Sequence, residues 1–389
     1  MNEDWSFNQP VRVCTIEKQL LVLDAGNNRV KIFEETPSPI YANENAHDLG
    51  NAPSSFSESM SFNLKKIVTG EPLAFQSTVG LTKTPQKTFM TLNWRTKCIT
   101  EWSLSNDALL SSASNLSFTE LKSFTFSEFV EPLDVAVDSE GRVLVCDNGA
   151  KKVFVFDHNA RPQFSFTVKS SLEMDAANNV CAPPTITNLT AGGEKVQQRR
   201  RRGSKDEKND QPSFISNLPT SFTLGANGKV VSSVTPQTAS RHNNVISNQN
   251  MQLSCIAIGP NDDIIVGGNE IQIYDHCGRY IANILPHVAN NTGSLPVKIL
   301  ANAGFFVGGL AVDNDGYVLA TVSDSKGGHI AVCRCLSPAE KNVNASPARY
   351  AIDSSAAKLR RPSGICVANE NFCFVADLGN NCIKKYRYK

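Results

Sequence analysis

The sequence lacks several features that would have assigned it early. No stretch approaches the roughly 18 uninterrupted apolar residues of a membrane span. Met1-Asn2-Glu3-Asp4-Trp5-Ser6 has neither a basic start nor an apolar run behind it, so a signal peptide and a membrane partner are not expected. A charge excess is missing too: 38 Lys and Arg against 37 Asp and Glu leave +1. That balance excludes a generally basic nucleic-acid sponge and an acidic tail protein, so charge-driven binding has to come from a local patch. No C-x-x-C pair occurs, and Cys333 with Cys335 forms a lone C-x-C without companions at zinc spacing. The G-x-S-x-G elbow, the Walker-type loop and H-E-x-x-H are absent, and the six His are scattered. These absences lead to the expectation of a non-catalytic chain with no metal site and no cofactor, with a hydrolase or lyase as the alternative. No segment has the period of an amphipathic helix.

What is present points to β-structure. The 389 residues, 41% hydrophobic, suit two or three average domains or one large all-β domain. The 11 cysteines are odd in number, and Cys14, Cys146, Cys366 and Cys373 lie in apolar runs where a small buried thiol fits. This reads as a reduced, intracellular chain, cytoplasmic with nuclear access. In such a chain the N-x-S/T triplets at Asn115, Asn188, Asn290 and Asn344 carry little weight.

A repeat runs through the chain. Residues 132–157, PLDVAVDSEGRVLVCDNGAKKVFVFD, read as an apolar strand, a Ser-Glu-Gly turn, a second strand closing on Asp147, a Gly-containing turn and a third strand. Residues 362–388 repeat that layout without a gap, and residues 10–33 do so with one deletion. In all three an Asp is followed by Gly two positions on and an apolar residue six positions on: Asp24, Gly26, Val30; Asp147, Gly149, Val153; Asp377, Gly379, Ile383. The same ruler finds weaker copies, pairing Leu81 with Asn93, Ile256 with Gly268, Leu310 with Val322 and Phe222 with Val234. A four-stranded antiparallel sheet needs roughly 40 residues. The 34 residues between Phe222 and Ile256 are too few, so six blades are favoured and seven remain open.

The pattern P-x-G-h-x-V, G-x-h-x-V-x-D, x-G-N-x-x-I/V resembles the NHL repeat. It is carried by Pro362-Ser363-Gly364-Ile365, Asp377-Leu378-Gly379-Asn380-Asn381 with Ile383, and Asp24-Ala25-Gly26-Asn27-Asn28-Arg29-Val30. The resemblance implies an all-β propeller of four-stranded antiparallel blades spanning residues 1–389, like those ending the TRIM-NHL proteins with their Brat-like post-transcriptional regulators. In that family the propeller recognises RNA or protein, and a separate RING supplies ubiquitin-ligase activity. This chain has no RING or B-box, so the protein-only alternative is an adaptor or substrate-recognition module whose RING lies elsewhere. The chain departs from the pattern at the Gly before the first-strand marker, which becomes Arg12, Asp134, Ser221 and Cys255. The last copy stops after its third strand, and the spare piece Trp5-Ser6-Phe7 is expected to complete it, pairing the two termini and closing the ring.

Excess length falls between blades, at about 34–64, 169–217 and 336–358, in stretches too polar to offset their ordering entropy. Arg199 to Arg202 is a candidate import signal, and Ser204 beside it a candidate phosphosite whose modification would cut the local positive charge. In a propeller of this kind the turns between second and third strands share a face with the links entering each first strand. That places Arg29, Trp94, Arg95, Lys97, Lys151 and Lys152 with Arg12, Arg360 and Arg361, a rim suited to phosphates and unpaired bases of single-stranded or stem-loop RNA, or to a protein partner. Asp24, Asp147 and Asp377 are expected to accept N–H bonds from their own turns, and Gly26, Gly149 and Gly379 to supply positive φ there.

Overall fold

A computed structural model describes residues 6–34, 63–66, 75–104, 118–170, 187–188, 251–284, 306–324, 327–334, 349–351, 359–368 and 371–388. The chain divides into two compact units, Met1–Ala191 with Asn250–Lys389, and Gly192–Gln249; every described residue belongs to the first.

The described residues form six antiparallel sheets, each laid down in chain order from its inner to its outer strand. The first holds β1 (Pro10–Ile16), β2 (Gln19–Asp24), β3 (Arg29–Glu34) and β4 (Asn63–Lys66). The second holds β5 (Thr78–Lys83), β6 (Phe89–Asn93), β7 (Cys98–Leu104) and β8 (Phe118–Thr125). The third has five strands: β9 (Pro132–Val137), β10 (Val143–Asp147), β11 (Lys152–Phe156), β12 (Pro162–Thr167) and β13 (Thr187–Asn188). The fourth holds β14 (Leu253–Ile258), β15 (Ile264–Gly268), β16 (Ile271–Tyr274) and β17 (Tyr280–Ile284). The fifth holds β18 (Phe306–Val312), β19 (Tyr317–Asp324), β20 (Gly327–Arg334) and β21 (Arg349–Ala351). The sixth has three: β22 (Pro362–Val367), β23 (Phe372–Asp377) and β24 (Cys382–Arg387).

The inner strands touch in the cycle β1, β5, β9, β14, β18, β22 and back to β1, so the sheets stand around a closed ring. The fold is a β-propeller. Its strands follow from burial on both faces: each sheet is packed between two neighbours, so second strands such as Val143–Asp147 are buried throughout and read as continuous apolar runs rather than alternations. Outer strands such as β8 return to a largely exposed pattern. Between the third and fourth sheets, Cys146, Val155 and Phe166 meet Leu253, Ile264 and Val266. Between the sixth and first, Cys366, Phe374 and Ala376 meet Val13, Leu20 and Val22. Burying one such side chain is worth about 1.5–3 kcal/mol.

Six of the seven sequence markers lie on inner strands. Their partners close the second strand, with Pro10 facing Asp24, Pro132 facing Asp147, Leu253 facing Gly268 and Pro362 facing Asp377. The fifth sheet differs, because β19 continues two residues past Val322 to Asp324. The Phe222–Val234 hairpin lies outside the described residues, as do Arg199 to Arg202 and Ser204. Most of the three expected insertions lie outside them too. Three short strands nevertheless fall inside or at the border of those stretches: β4, β13 and β21.

The expected pairing of the termini lies partly outside the described residues: Trp5 falls there, the sixth sheet has three strands among the described residues, and Ser6 and Phe7 are not in a strand. Lys31 and Asp24 are buried beneath this segment; Lys31 Nζ donates to the Ser6 carbonyl at 2.6 Å, the Asn8 N–H donates to Asp24 at 2.7 Å, and Phe7 packs on Phe33 at 5.7 Å.

Candidate functional site

The turn between second and third strands is tied to the link entering the first strand of the same sheet. Asp147 accepts the N–H groups of Val130 and Glu131 at 2.8 and 2.9 Å and that of Ala150 at 2.9 Å. Asp377 accepts those of Arg360 and Arg361, both at 3.1 Å, and Asn380 Nδ2 at 2.6 Å. Asp24 accepts the Asn8 N–H and Asn27 Nδ2. All three carboxylates are fully buried. The expectation that each serves its own turn is thus corrected: the backbone donors come chiefly from the incoming link, and Asp147 alone adds a backbone N–H of its turn. Asp24 and Asp377 gain cations besides, the buried Lys31 Nζ at 2.8 Å and the half-buried Lys384 Nζ at 3.2 Å.

The glycine expectation also changes. Gly26, Gly149 and Gly379 do not have positive φ; the left-handed residues of these three turns are Asn28, Lys151 and Asn381. Glycine is required by close approach of the link. A Cβ at Gly26 would stand 2.6 Å from the Asn8 oxygen, and one at Gly379 2.7 Å from Arg360 Cβ.

Two of the weaker copies rebuild the tie with asparagine. Asn93 Oδ1 accepts Arg95 and Thr96 N–H at 3.0 Å, while its Nδ2 donates to the Gln76 carbonyl at 2.8 Å. In the fourth sheet the function moves one residue along: Asn269 Oδ1 accepts the Gln252 N–H at 3.0 Å, because a Cβ at Gly268 would stand 1.6 Å from the Gln252 oxygen. Asn269 was missed in the sequence; its signal was a side-chain acceptor one position after the glycine.

The predicted basic residues divide into two groups. Arg29, Trp94, Arg95, Lys97, Lys151, Lys152, Arg360 and Arg361 sit at these turns and links, on the sixth, first, second and third sheets, which are consecutive around the ring. They form an arc rather than a full circle, since the fourth sheet presents Asn269 and Glu270 at the same place. Arg95 and Arg360 are exposed and the others half-buried. Arg95 lies over the Trp94 ring at 5.7 Å. Lys97 Nζ donates to the Phe129 carbonyl at 2.7 Å and Lys151 Nζ to Asn148 Oδ1 at 2.8 Å. Lys152 stands over Phe154 at 5.8 Å. Burial pulls the Lys151 and Arg361 pKa values down. Among these cations stands Val130, 58% exposed.

Arg12 does not belong to this rim. Its guanidinium is buried in the channel enclosed by the six inner strands, a space of about 190 Å³. It pairs with Asp134 at 3.1 Å and donates to the carbonyls of Ser254 and Gly308, both at 3.1 Å. Burial pulls its pKa down and Asp134 more than offsets this. Burial pushes the Asp134 carboxyl up, and Arg12 with the Ile256 N–H only partly offsets it. The sequence placed Arg12 on the rim because it precedes a strand marker, but in the folded chain that position lines the channel.

At the opposite ends of the sheets, four turns share a pattern that the sequence reading passed over, Asp followed four positions on by Arg or Tyr: Asp138 with Arg142, Asp157 with Arg161, Asp275 with Arg279 and Asp313 with Tyr317. Each Asp accepts two N–H groups of its own turn, for example those of Asn159 and Arg161 at Asp157. His158 and His276 sit in two of these turns, as repeat elements. Among the described residues no three His, Cys, Asp or Glu side chains are grouped to hold a metal ion.

The NHL repeat family matches residues 129–156, a single repeat covering the third sheet's first three strands. No curated protein matches. The solved structures similar to this chain include a gluconolactonase from Xanthomonas campestris, 9% identical over 98% of this chain and 86% of that one with a TM-score of 0.46. They also include virginiamycin B lyase from Staphylococcus aureus, 13% identical over 80% and 85% with a TM-score of 0.37. A Bacteroides thetaiotaomicron protein of unknown function is 11% identical over 98% and 70% with a TM-score of 0.47. The expectation of a non-catalytic chain is corrected by these names: enzymes use this fold, so the fold gives no ground for excluding catalysis. At such identities and scores nothing follows about the chemistry of this chain.

Proposed function

We propose that the chain is a recognition scaffold whose basic arc holds an anionic partner, single-stranded RNA in the first reading, as in post-transcriptional regulation. The observation that carries this is the run of cations on one rim of four consecutive sheets, interrupted by the half-buried Trp94. Phosphates suit the arc, since Arg95 and Arg360 project from it, and the Trp94 ring offers a face on which a base stacks in exchange for Arg95. The near-neutral total is compatible with this, because the acids of the repeat are spent on buried caps and opposite-end turns.

The test is binding of a fluorescent oligouridine to the full chain across a salt series. Arg95→Ala and Arg360→Ala are expected to weaken binding and to lower the salt slope by about one each. Trp94→Ala is expected to cost about 1–3 kcal/mol with the slope unchanged. Affinity indifferent to salt and to all three changes would sink the RNA reading. Val130 favours a second reading, a protein partner, because an exposed apolar side chain on the link beside this turn is what an interface core offers and RNA does not need. Val130→Glu separates the two: it breaks a protein contact outright, whereas RNA binding falls only by the added negative charge.

A further inference from the structure

The residues before the strand markers form one layer of the inner strands, one from each: Arg12, Gly80, Asp134, Cys255, Gly309 and Gly364, of which Arg12, Asp134, Gly309 and Gly364 line the channel. All six first strands shift register beside this layer, for example between Pro10 and Arg12, Leu253 and Cys255, and Pro362 and Ile365. Where the layer is glycine, neighbouring strands press together. A Cβ at Gly309 would stand 2.2 Å from the Ser363 oxygen, and one at Gly364 2.7 Å from Arg12 Cα. Where it departs from glycine, two of the three departures are opposite charges that meet. Arg12 of β1 reaches across to Asp134 of β9, and its remaining donors take the carbonyls of Ser254 on β14 and Gly308 on β18. Asp134 in turn accepts the Ile256 N–H of β14 at 3.2 Å. One side chain therefore joins four of the six inner strands, and β22 packs directly on its Cα.

The seam between the last and first sheets shares no strand among the described residues. Polar contacts across it include Ser363 Oγ to the Pro10 carbonyl and Thr15 Oγ1 to the Val367 carbonyl, both at 3.1 Å, and the Gln9 N–H to Asn381 Oδ1 at 2.9 Å. We propose that the Arg12–Asp134 pair is a transannular lock that holds the ring closed, anchoring β1 from inside the channel. A guanidinium suits this role because its planar fork keeps several fixed donors in use at once. The alternative is a buried ion pair that only compensates its own charges.

Hydrogen exchange on the full chain at neutral pH distinguishes the two. Asp134→Asn lies on the third sheet, far along the chain from both termini. A lock predicts exchange about tenfold faster in the peptides of β1 and β22, the loss of roughly one charge-assisted bond, with β7 and β8 unchanged. Arg12→Lys keeps the charge but loses the fork, and is expected to loosen the same seam to a smaller degree. Arg12→Met with Asp134→Leu leaves no buried charge uncompensated; the lock predicts that its seam still exchanges faster than the native one. Faster exchange confined to β9 in Asp134→Asn, native exchange in Arg12→Lys, or native seam protection in the double variant would each overturn the proposal. The two single changes are mild enough to be decisive if the double variant does not fold.

Discussion

Aspartates close strands at both ends of the sheets, and the two ends use them differently. At the end carrying the basic arc, Asp24, Asp147 and Asp377 are buried and hold N–H groups 16 or 17 residues earlier in the chain. At the other end, Asp157 and Asp275 hold N–H groups two and four residues later in their own turns. The first set joins separate segments and the second shapes one hairpin. The same residue type at a strand end is therefore a long-range tie on one face and a local turn former on the other, and the long-range face is the one on which a fixed binding surface can be built.

The largest break of this contrast is at the ion pairs. Lys31→Met leaves the buried Asp24 carboxylate without its cation and is expected to cost about 3–5 kcal/mol. Arg279→Met removes a pair whose arginine is 66% exposed and screened by solvent, and is expected to cost far less. Urea denaturation of both variants decides the matter. Equal losses would show that the two ends are energetically alike.

Next come the carboxylates themselves. Asp147→Ala strands the Val130, Glu131 and Ala150 donors and is expected to cost about 3 kcal/mol; Asp157→Ala costs about 1 kcal/mol, since water reaches its turn. The same denaturation series ranks them, and a reversed order would sink the division into ties and turn formers. A third change reads pH. At Asp275 burial raises the pKa, but the bonds from Arg279 and Cys277 outweigh it, so the value is depressed in the folded chain. The unfolded state then binds more protons, and the stability this group contributes is present above the ordinary carboxylate range and lost as pH falls through the depressed value. Asp275→Asn is therefore expected to narrow its stability gap to the native chain at about pH 3 relative to pH 6. A gap independent of pH removes the electrostatic part of the local turn.

Much of the fold was legible because six strand markers and their closing partners depend on local patterning. Val135 faces the core and Asp147 ends the next strand, relations set by period 2 and turn chemistry within one hairpin. The errors share a different origin. The partners of Asp24 and Asp377, the close approach that demands Gly149, and the inward course of Arg12 are set by segments distant in sequence or by other sheets. A glycine before an asparagine looks the same whether it is needed for φ or for clearance. An arginine before a strand looks the same on a rim as in a channel. The complementary charges at Arg12 and Asp134 were visible as two departures from one pattern position; only the ring brings them together.

The finest test separates the two ends at one backbone angle. Ala160, in an opposite-end turn, and Lys151, on the arc, are both left-handed, at φ 63° and 54°. A side chain in that region costs about 1–2 kcal/mol, part of which glycine returns as unfolded-state entropy. Ala160→Gly is thus expected to stabilise the chain by about 0.5–1 kcal/mol, since alanine contributes no polar bond there. Lys151→Gly relieves the same angle but deletes the Nζ bond to Asn148, whose Oδ1 also accepts the Leu253 N–H of the next sheet. Its gain should vanish. A matching gain in both variants would mean that Lys151 contributes nothing to the joined face, leaving its charge available to a partner alone.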